Sequence, residues 1–432
     1  MENSVIEAQY PVTFRKQEAE KLGQHLKNRH NVVLIGMKRV GISNFLRFFL
    51  YHKNIVKTYI GDEKNHLFIS VDLNDLIERE LFAFWTLTLK RIVDTVEKST
   101  LDAKLKKEIE MLFLNSIQSQ DLFLKIDNVR KALIMLVDHG VHPTFFFLRF
   151  DRIKDVVTPE FFDNLQGLRD AAHQKLSYVF TSFRSLDRLS PSVFTRQSLL
   201  VFSHDMHIPT ASEEDMKIVY ETYRKHYNLA IASELERALF DLVGGYIQYL
   251  QLALILLHEQ KELPETESVL IEQLLKDERI SLQSEELWES LDSDEQSILM
   301  KAYAEKPISE EDRSKGKYLW ETGFLRSDDK VFSPLFERYL SLKDNRSARE
   351  SIAIEFTKKE HLLFQFLQQN ANEIGEREKI VEAVWPEVEA VGISDWAIDR
   401  LVARVRQKLK AQKSHSEIQT IKTRGYKLVQ TA

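Results

Sequence analysis

The chain has 432 residues, a net charge of -6, 43% hydrophobic and 29% charged residues, and no cysteine. That length suits several domains, and the lack of cysteine excludes disulfides, thiolate catalysis and cysteine-ligated zinc. The mild acidity gives no chain-wide reason to expect a polyanionic partner, so any basic surface must be local.

The opening stretch MENSVIEAQYPVTFRKQ is polar and lacks the apolar segment of a signal peptide. The strongest apolar run, near LQLALILL, is far short of the ~20 residues of a membrane helix. A cytoplasmic protein with no membrane contact is expected.

Up to residue 203, short apolar runs alternate with longer amphipathic stretches, the pattern of a parallel sheet flanked by helices. Strands are expected at NVVLIG from Asn31, HLFISVDL from His66, TFFFLRFD from Thr144, LSYVFTS from Leu176 and SLLVFS from Ser198. Helices are expected from about Asp75 to Asp138. Residues 204–280 read as helical. TASEEDMKIVYETYRKHY opens with capping hydroxyls followed by first-turn acids, and SELERALFDLVGGYIQYLQLALILLHEQ reads as two helices around Gly244 and Gly245. Residues 281–345 read as helices with a Thr-Gly turn and a short ribbon, and KDNRSARES as a charged linker. Residues 350–432 form a last small α/β unit.

NVVLIGMKRVGISNFLRFFL places a glycine-bracketed loop between an apolar strand and an apolar helix. This is the layout of a P-loop, GxxxxGK[ST], in which backbone N–H groups and a helix N-terminus face phosphates. Gly36, Gly41 and Ser43 fit the pattern. Ile42 stands at the lysine position and cannot supply the charge, while Lys38 and Arg39 are cations inside the loop.

Other segments follow in order. VTFRKQEAEKL lies upstream, and TFFFLRFDRI reads as a strand ending in Asp151. YVFTSFRSLDRL reads as a strand ending in polar Thr181, Ser182 and Arg184, and LVGGYIQYLQLALILL resembles the GG-x-P segment of a helical lid. Together they resemble the AAA+/STAND class of P-loop NTPases, from about Phe14 to Leu257. The resemblance implies ATP or ADP with Mg²⁺ held between core and lid. Gly36, Gly41 and Ser43 would cradle phosphate and metal, Asp151 would assist the metal, and Arg184 would sense the γ-phosphate. It also exposes three departures: Ile42 for lysine, Arg152 for the water-orienting acid, and Ile247 for the lid proline. A lost charge-assisted phosphate contact costs roughly 1.5–3 kcal/mol, and a lost general base roughly 10²–10⁴-fold in rate. Efficient hydrolysis is therefore not expected.

The C-terminal unit carries the strongest signal. Ile398, Leu401, Val402, Val405 and Leu409 recur at helical spacing, and Arg400, Arg404 and Lys408 share another stripe. Ser394 is an N-cap candidate. Six Lys/Arg stand against two Asp from Ser394 to Lys413, and the ribbon IQTIKTRGYKL follows. Such a helix fits a DNA major groove, and a basic ribbon beside it fits phosphates or a minor groove. FTKKEHLLFQFL, EREKIVEAVW, IDRLVARVRQKL and IQTIKTRGYKL, in this order, resemble the OmpR/PhoB-type winged-helix DNA-binding domain.

That resemblance implies double-stranded DNA as partner. Arg400, Ala403, Arg404, Arg406 and Lys408 would lie on the reading helix, and Thr420, Lys422 and Arg424 on the wing. Trp385, Trp396 and Tyr426 are expected to pack rather than stack on bases. The acidic loop PEVEAVGIS suits a protein partner better than phosphate.

The segment YLWETGFLRSDDKVFSPLFERYL resembles the winged-helix unit that follows the lid in STAND proteins, with Asp328, Asp329 and Glu337 disfavouring DNA. The 13 histidines are scattered, and His204 and His207 have no further clear ligand nearby in sequence, so no metal site is read there. The expected fold class is α/β plus mostly α: a P-loop NTPase-like parallel sheet core (1–203) with a helical lid (204–280), followed by two winged-helix domains (281–345 and 350–432). The expected protein is a DNA-binding transcriptional regulator whose nucleotide module controls the reader, through core state, a homo-oligomer or a protein effector. Two alternatives stand beside it: an AAA+ ATPase of DNA loading or defence, and a pseudo-NTPase protein scaffold.

Overall fold

The computed structural model describes residues 5–61, 66–194, 202–260, 263–347, 356–386, 395–412, 414, 416–421 and 424–430. The chain divides into two compact units, Met1–Ile218 with Glu321–Gly323, and Val219–Trp320 with Phe324–Ala432. No helix among the described residues is long and apolar enough to cross a membrane.

The first unit is built on α1 (Lys16–Lys27), β1 (Val32–Ile35), α2 (Ile42–Tyr51), β2 (His66–Asp72), α3 (Leu81–Glu97), α4 (Ala103–Ile117) and α5 (Leu122–Asp138). It continues with β3 (His142–Leu148), α6 (Pro159–Ala171), β4 (Ser177–Ser182), α7 (Leu186–Leu189) and β5 (His204–His207). The strands pair in the order β2-β3-β4-β1-β5, all parallel. Every residue of β1 and β4 is buried, because helices cover both faces of a parallel sheet. Phe145, Phe147, Tyr178 and Phe180 stack on one another across β3 and β4 and fill one face.

Two strand expectations need correction. The fifth strand is His204–His207, not residues 198–203, of which 198–201 lie outside the described residues. Its sequence is polar because it is an edge strand paired only with β1, and solvent meets its outer side. The third strand ends at Leu148, before Asp151. Arg149 turns the chain with a φ of 58°, and Asp151 falls in the 3-10 turn Phe150–Ile153 that follows.

Helix α8 (Glu213–His226) runs across the division between the units. The second unit continues with α9 (Ser233–Val243), α10 (Ile247–Glu259), α11 (Glu267–Lys276), α12 (Glu278–Glu289), α13 (Ser293–Tyr303), α14 (Glu310–Lys315), α15 (Lys317–Glu321) and α16 (Pro334–Ser347). The expected helix pair around Gly244 and Gly245 is α9 and α10. Gly244 has a φ of +57°, and a Cβ there would lie 1.8 Å from the Phe332 carbonyl oxygen, so only glycine allows this approach. The Ser333 hydroxyl donates to the Leu242 carbonyl at 2.6 Å beside it. The short ribbon is one antiparallel bridge, Leu325 to Val331. Asp329 accepts from Trp320 Nε1 at 2.9 Å and pairs with Arg313 at 2.5 Å.

The C-terminal domain consists of α17 (Lys358–Gln369), β6 (Gly375–Glu376), α18 (Arg377–Val384), α19 (Asp395–Ala411), β7 (Ser416–Ile421) and β8 (Gly425–Gln430). Its strands form an antiparallel sheet in the order β6-β8-β7. The apolar stripe of α19, Ile398 through Leu409, is buried against Leu363, Ile380, Val384 and Trp385, and Tyr426 closes the same core. Trp385 and Tyr426 are thus packing residues. Ser394, the Trp396 side chain and the acidic stretch 387–394 lie outside the described residues.

Candidate nucleic-acid interface and nucleotide-like cleft

The site in the C-terminal domain starts from a helix cap. Thr357 and Glu360 form a capping box at the start of α17: the Thr357 side chain accepts from the Glu360 N–H, and the Glu360 carboxylate accepts from the Thr357 N–H at 2.8 Å. Glu360 is only 2% exposed. Its carboxylate takes Lys408 Nζ at 2.7 Å and lies 3.8 Å from Arg404 Nε. Burial works against its charge, but the Lys408 ammonium and the Thr357 N–H outweigh this and hold the carboxyl below the usual glutamate range.

One turn toward the helix start, Arg400 Nε meets Glu285 Oε1 at 3.1 Å, and its NH2 meets Glu289 Oε1 at 2.7 Å. Arg404 NH1 reaches Glu285 Oε2 at 3.5 Å. The basic stripe Arg400–Arg404–Lys408 therefore faces carboxylates of α12 and α17. Leu282 of α12 packs against the C-terminal core, and Glu278 lies 3.8 Å from Lys359 Nζ. Glu278, Leu282, Glu285 and Glu289 recur at spacings of four, three and four, one face of α12.

Other expected DNA residues are distributed differently. Arg406 donates to the Ile418 carbonyl and to the Thr420 hydroxyl, both at 2.8 Å, which ties α19 to β7. Ala403 and Arg424 are exposed, and Lys422 lies outside the described residues. Asp399, at the start of the same helix, pairs with Arg377 at 2.5 Å and accepts from the Tyr426 hydroxyl.

In the first unit, the glycine loop spans Gly36 to Gly41, and α2 starts at Ile42. Gly41 has a φ of 110° and Arg39 a φ of 59°, the left-handed region that such loops need. Met37 and Val40 are buried, and a Cβ at Gly36 would meet Val40 Cγ1 at 2.8 Å and Ile42 Cδ1 at 3.2 Å. Apolar side chains thus crowd this part of the loop. Lys38 Nζ lies 5.3 Å over the Phe183 ring. The Arg184 N–H donates to the Ser182 hydroxyl at 3.2 Å.

Beside the loop, a cleft of about 510 Å³ is lined by Ile42, Ser43, Asp72, Asp75, Asp94, Arg149 and others. Each of these three carboxylates is already ion-paired. Arg149 grips Asp72 in a two-pronged pair at 2.5 and 3.1 Å, Arg91 takes Asp75 at 2.6 Å, and Arg91 and Lys90 share Asp94 at 2.9 and 2.6 Å. Asp151 is pushed above the ordinary aspartate value by burial, against the opposing pull of Lys38, Arg152 and Arg149. A magnesium–triphosphate centre needs a lysine at the loop end and an ionised carboxylate at the strand end. Here those positions hold Ile42 and Arg149, so the residues do not fit such a centre.

Residues 350–428 match the family described as "Transcriptional regulatory protein, C terminal". This segment is a winged-helix domain of the OmpR/PhoB type. No curated protein matches the chain by sequence. Among solved structures it is similar to the Walker-type ATPase of Pyrococcus abyssi, with 16% identity, 76% of this chain and 95% of that chain covered, and a TM-score of 0.46. It is also similar to the Aeropyrum pernix ORC2 protein in its ADPNP–ADP complexes, with 14% identity, 92% and 94% covered, and a TM-score of 0.45. A third similarity is to the Aeropyrum pernix ORC1 protein in complex with DNA, with 9% identity, 97% and 89% covered, and a TM-score of 0.33.

Sequence reasoning missed the acids that meet the basic stripe. The spacing of Glu278, Glu285 and Glu289 on one helix face was visible, but nothing in sequence links that face to residues more than a hundred positions later.

Glu360→Gln keeps the cap acceptor and removes the charge, and should cost roughly 1.5–3 kcal/mol of C-terminal domain stability at pH 7. Because the folded carboxyl titrates below its unfolded value, this stabilisation is present above the unfolded glutamate value and is lost as pH falls through the folded one. Urea unfolding of wild type and variant from neutral to acid pH checks it: the gap between the two should close toward acid.

Proposed function

We propose that the chain is a transcriptional regulator whose C-terminal winged helix binds double-stranded DNA and whose P-loop-like module acts as a control unit with little or no ATP hydrolysis. The family match of residues 350–428 carries the DNA reading. Arg400, Ala403, Arg404, Arg406 and Lys408 on α19, with Thr420, Lys422 and Arg424 on the ribbon, supply the contact surface. The stripe arginines are shared. In the DNA-free chain Glu285 and Glu289 hold Arg400, and DNA phosphates compete for the same guanidinium. Release of α12 by a protein effector, or by self-association through the core, would raise DNA affinity. Arg406 and Lys408 act mainly through β7 and Glu360.

The nucleotide part of the proposal rests on the loop. Gly36, Gly41 and Ser43 retain the outline of a phosphate cradle, while Ile42 in place of lysine and the Asp72–Arg149 pair argue for weak ATP or ADP binding with poor Mg²⁺ recruitment. Lys38, Arg39, Asp151 and Arg184 are the remaining candidate contacts.

Three measurements test these readings. Selection of bound genomic fragments should return discrete promoter sites. In fluorescence anisotropy, Lys422→Ala with Arg424→Ala should weaken duplex binding and reduce the salt slope by roughly two, about one per lost phosphate contact. An unchanged slope and affinity would contradict the interface. Ile42→Lys should gain ATP affinity by roughly tenfold or more over wild type in calorimetry, the value of a charge-assisted phosphate contact; no gain would show that the crowded loop, rather than the missing charge, keeps phosphate out.

A further inference from the structure

Three histidines from separate segments meet at the N-terminal end of the parallel strands, opposite the glycine loop. His25 lies in the last turn of α1, His30 in the turn before β1, and His204 opens β5. Their backbones are tied directly. The His30 N–H donates to the His25 carbonyl at 2.9 Å, and the His204 N–H donates to the Asn31 carbonyl at 2.9 Å. Asn31 is buried and its side chain donates to the Phe202 carbonyl at 2.9 Å, which fixes the approach to β5.

From these anchors the three rings converge. Ring centroids lie 5.5, 5.1 and 4.6 Å apart for the pairs 25–30, 25–204 and 30–204. His25 Nδ1 is 3.2 Å from His30 Nδ1, and one ring nitrogen from each histidine falls within 4.8 Å of the others. Zinc–imidazole bonds of about 2.0–2.1 Å in a tetrahedral site put ligand nitrogens about 3.3 Å apart. The 25–30 pair already has that spacing, and His204, which is exposed on an edge strand, can close the remainder by rotating its ring.

We infer that His25, His30 and His204 form a binding site for a divalent transition-metal ion, zinc foremost. Three imidazoles and no carboxylate select borderline metals over magnesium or calcium. Three protein ligands leave a fourth position for water or an incoming group. Lys21 and Arg169 are the nearby cations that oppose an ion, and Arg169 is drawn aside by the Arg29 carbonyl at 2.5 Å. His142, at the same end of the sheet, is engaged instead by Arg29 at 2.7 Å. A bound ion would fasten the edge strand β5 to α1.

The test uses the untagged full chain, stripped with a chelator and titrated with zinc chloride in a calorimeter. Cobalt(II) serves as a spectroscopic probe of a tetrahedral nitrogen site. The expected result is one zinc per chain at micromolar or tighter affinity, a raised melting temperature with zinc, and a tenfold or greater loss of affinity in His204→Asn. His25→Asn with His204→Asn should abolish binding. His204 is exposed, so the single variant keeps its fold, as circular dichroism checks. No saturable uptake, or uptake unchanged in the His204→Asn variant, would overturn the inference.

Discussion

Glu360 is a nearly buried carboxylate that keeps its charge, and that constraint organises the C-terminal domain. A buried carboxylate without a partner costs several kcal/mol, so cations must be brought to it. Lys408 comes fully and Arg404 partly, while the Thr357 N–H completes the set from the helix cap. One residue therefore starts α17, fixes the rotation of α19 about its axis, and uses up the C-terminal part of the basic stripe. With the helix in that rotation, its apolar side meets Leu363, Ile380 and Trp385 and its remaining arginine points along α12.

The stripe is consequently graded. Lys408 is committed to the fold, Arg404 is divided between Glu360 and Glu285, and Arg400 is paired wholly with α12. Arg400 and Glu289 are each about one-third exposed, and a pair that solvent reaches on both sides is weak, whereas the Glu285 partner is more buried. The α12 face that carries Glu278, Leu282, Glu285 and Glu289 sets one apolar residue among three acids, and these acids meet Lys359 and the arginines of the stripe. In the first unit the same logic runs the other way. Arg149 stands at the strand end, where a metal-binding acid would serve catalysis, and neutralises Asp72 internally. The three carboxylates of the cleft are each ion-paired before any ligand arrives.

Much of this was legible in the sequence. Four of the five parallel strands announce themselves as apolar runs because both faces of the sheet are covered, and the glycine pair at Gly244 and Gly245 marks a real helix break. The apolar stripe of α19 was readable from spacing alone. What failed did so for physical reasons. β5 is a polar edge strand, so HDMH fell in the stretch from residue 204 that reads as helical. Asp151 looked like the end of a strand because the apolar run continues through Phe150, but Arg149 had already turned the chain. Partners distant in sequence, such as Glu285 with Arg400 or His25 with His204, leave no local trace, since only the tertiary fold brings them together.

The central claim is that α12 and DNA compete for Arg400. It is tested most directly by duplex-binding anisotropy, at one fixed salt concentration, of wild type and of Glu285→Gln with Glu289→Gln. The account predicts tighter binding by the double variant, about tenfold, equivalent to about 1.4 kcal/mol. Equal or weaker binding, with the fold intact by circular dichroism, would contradict it.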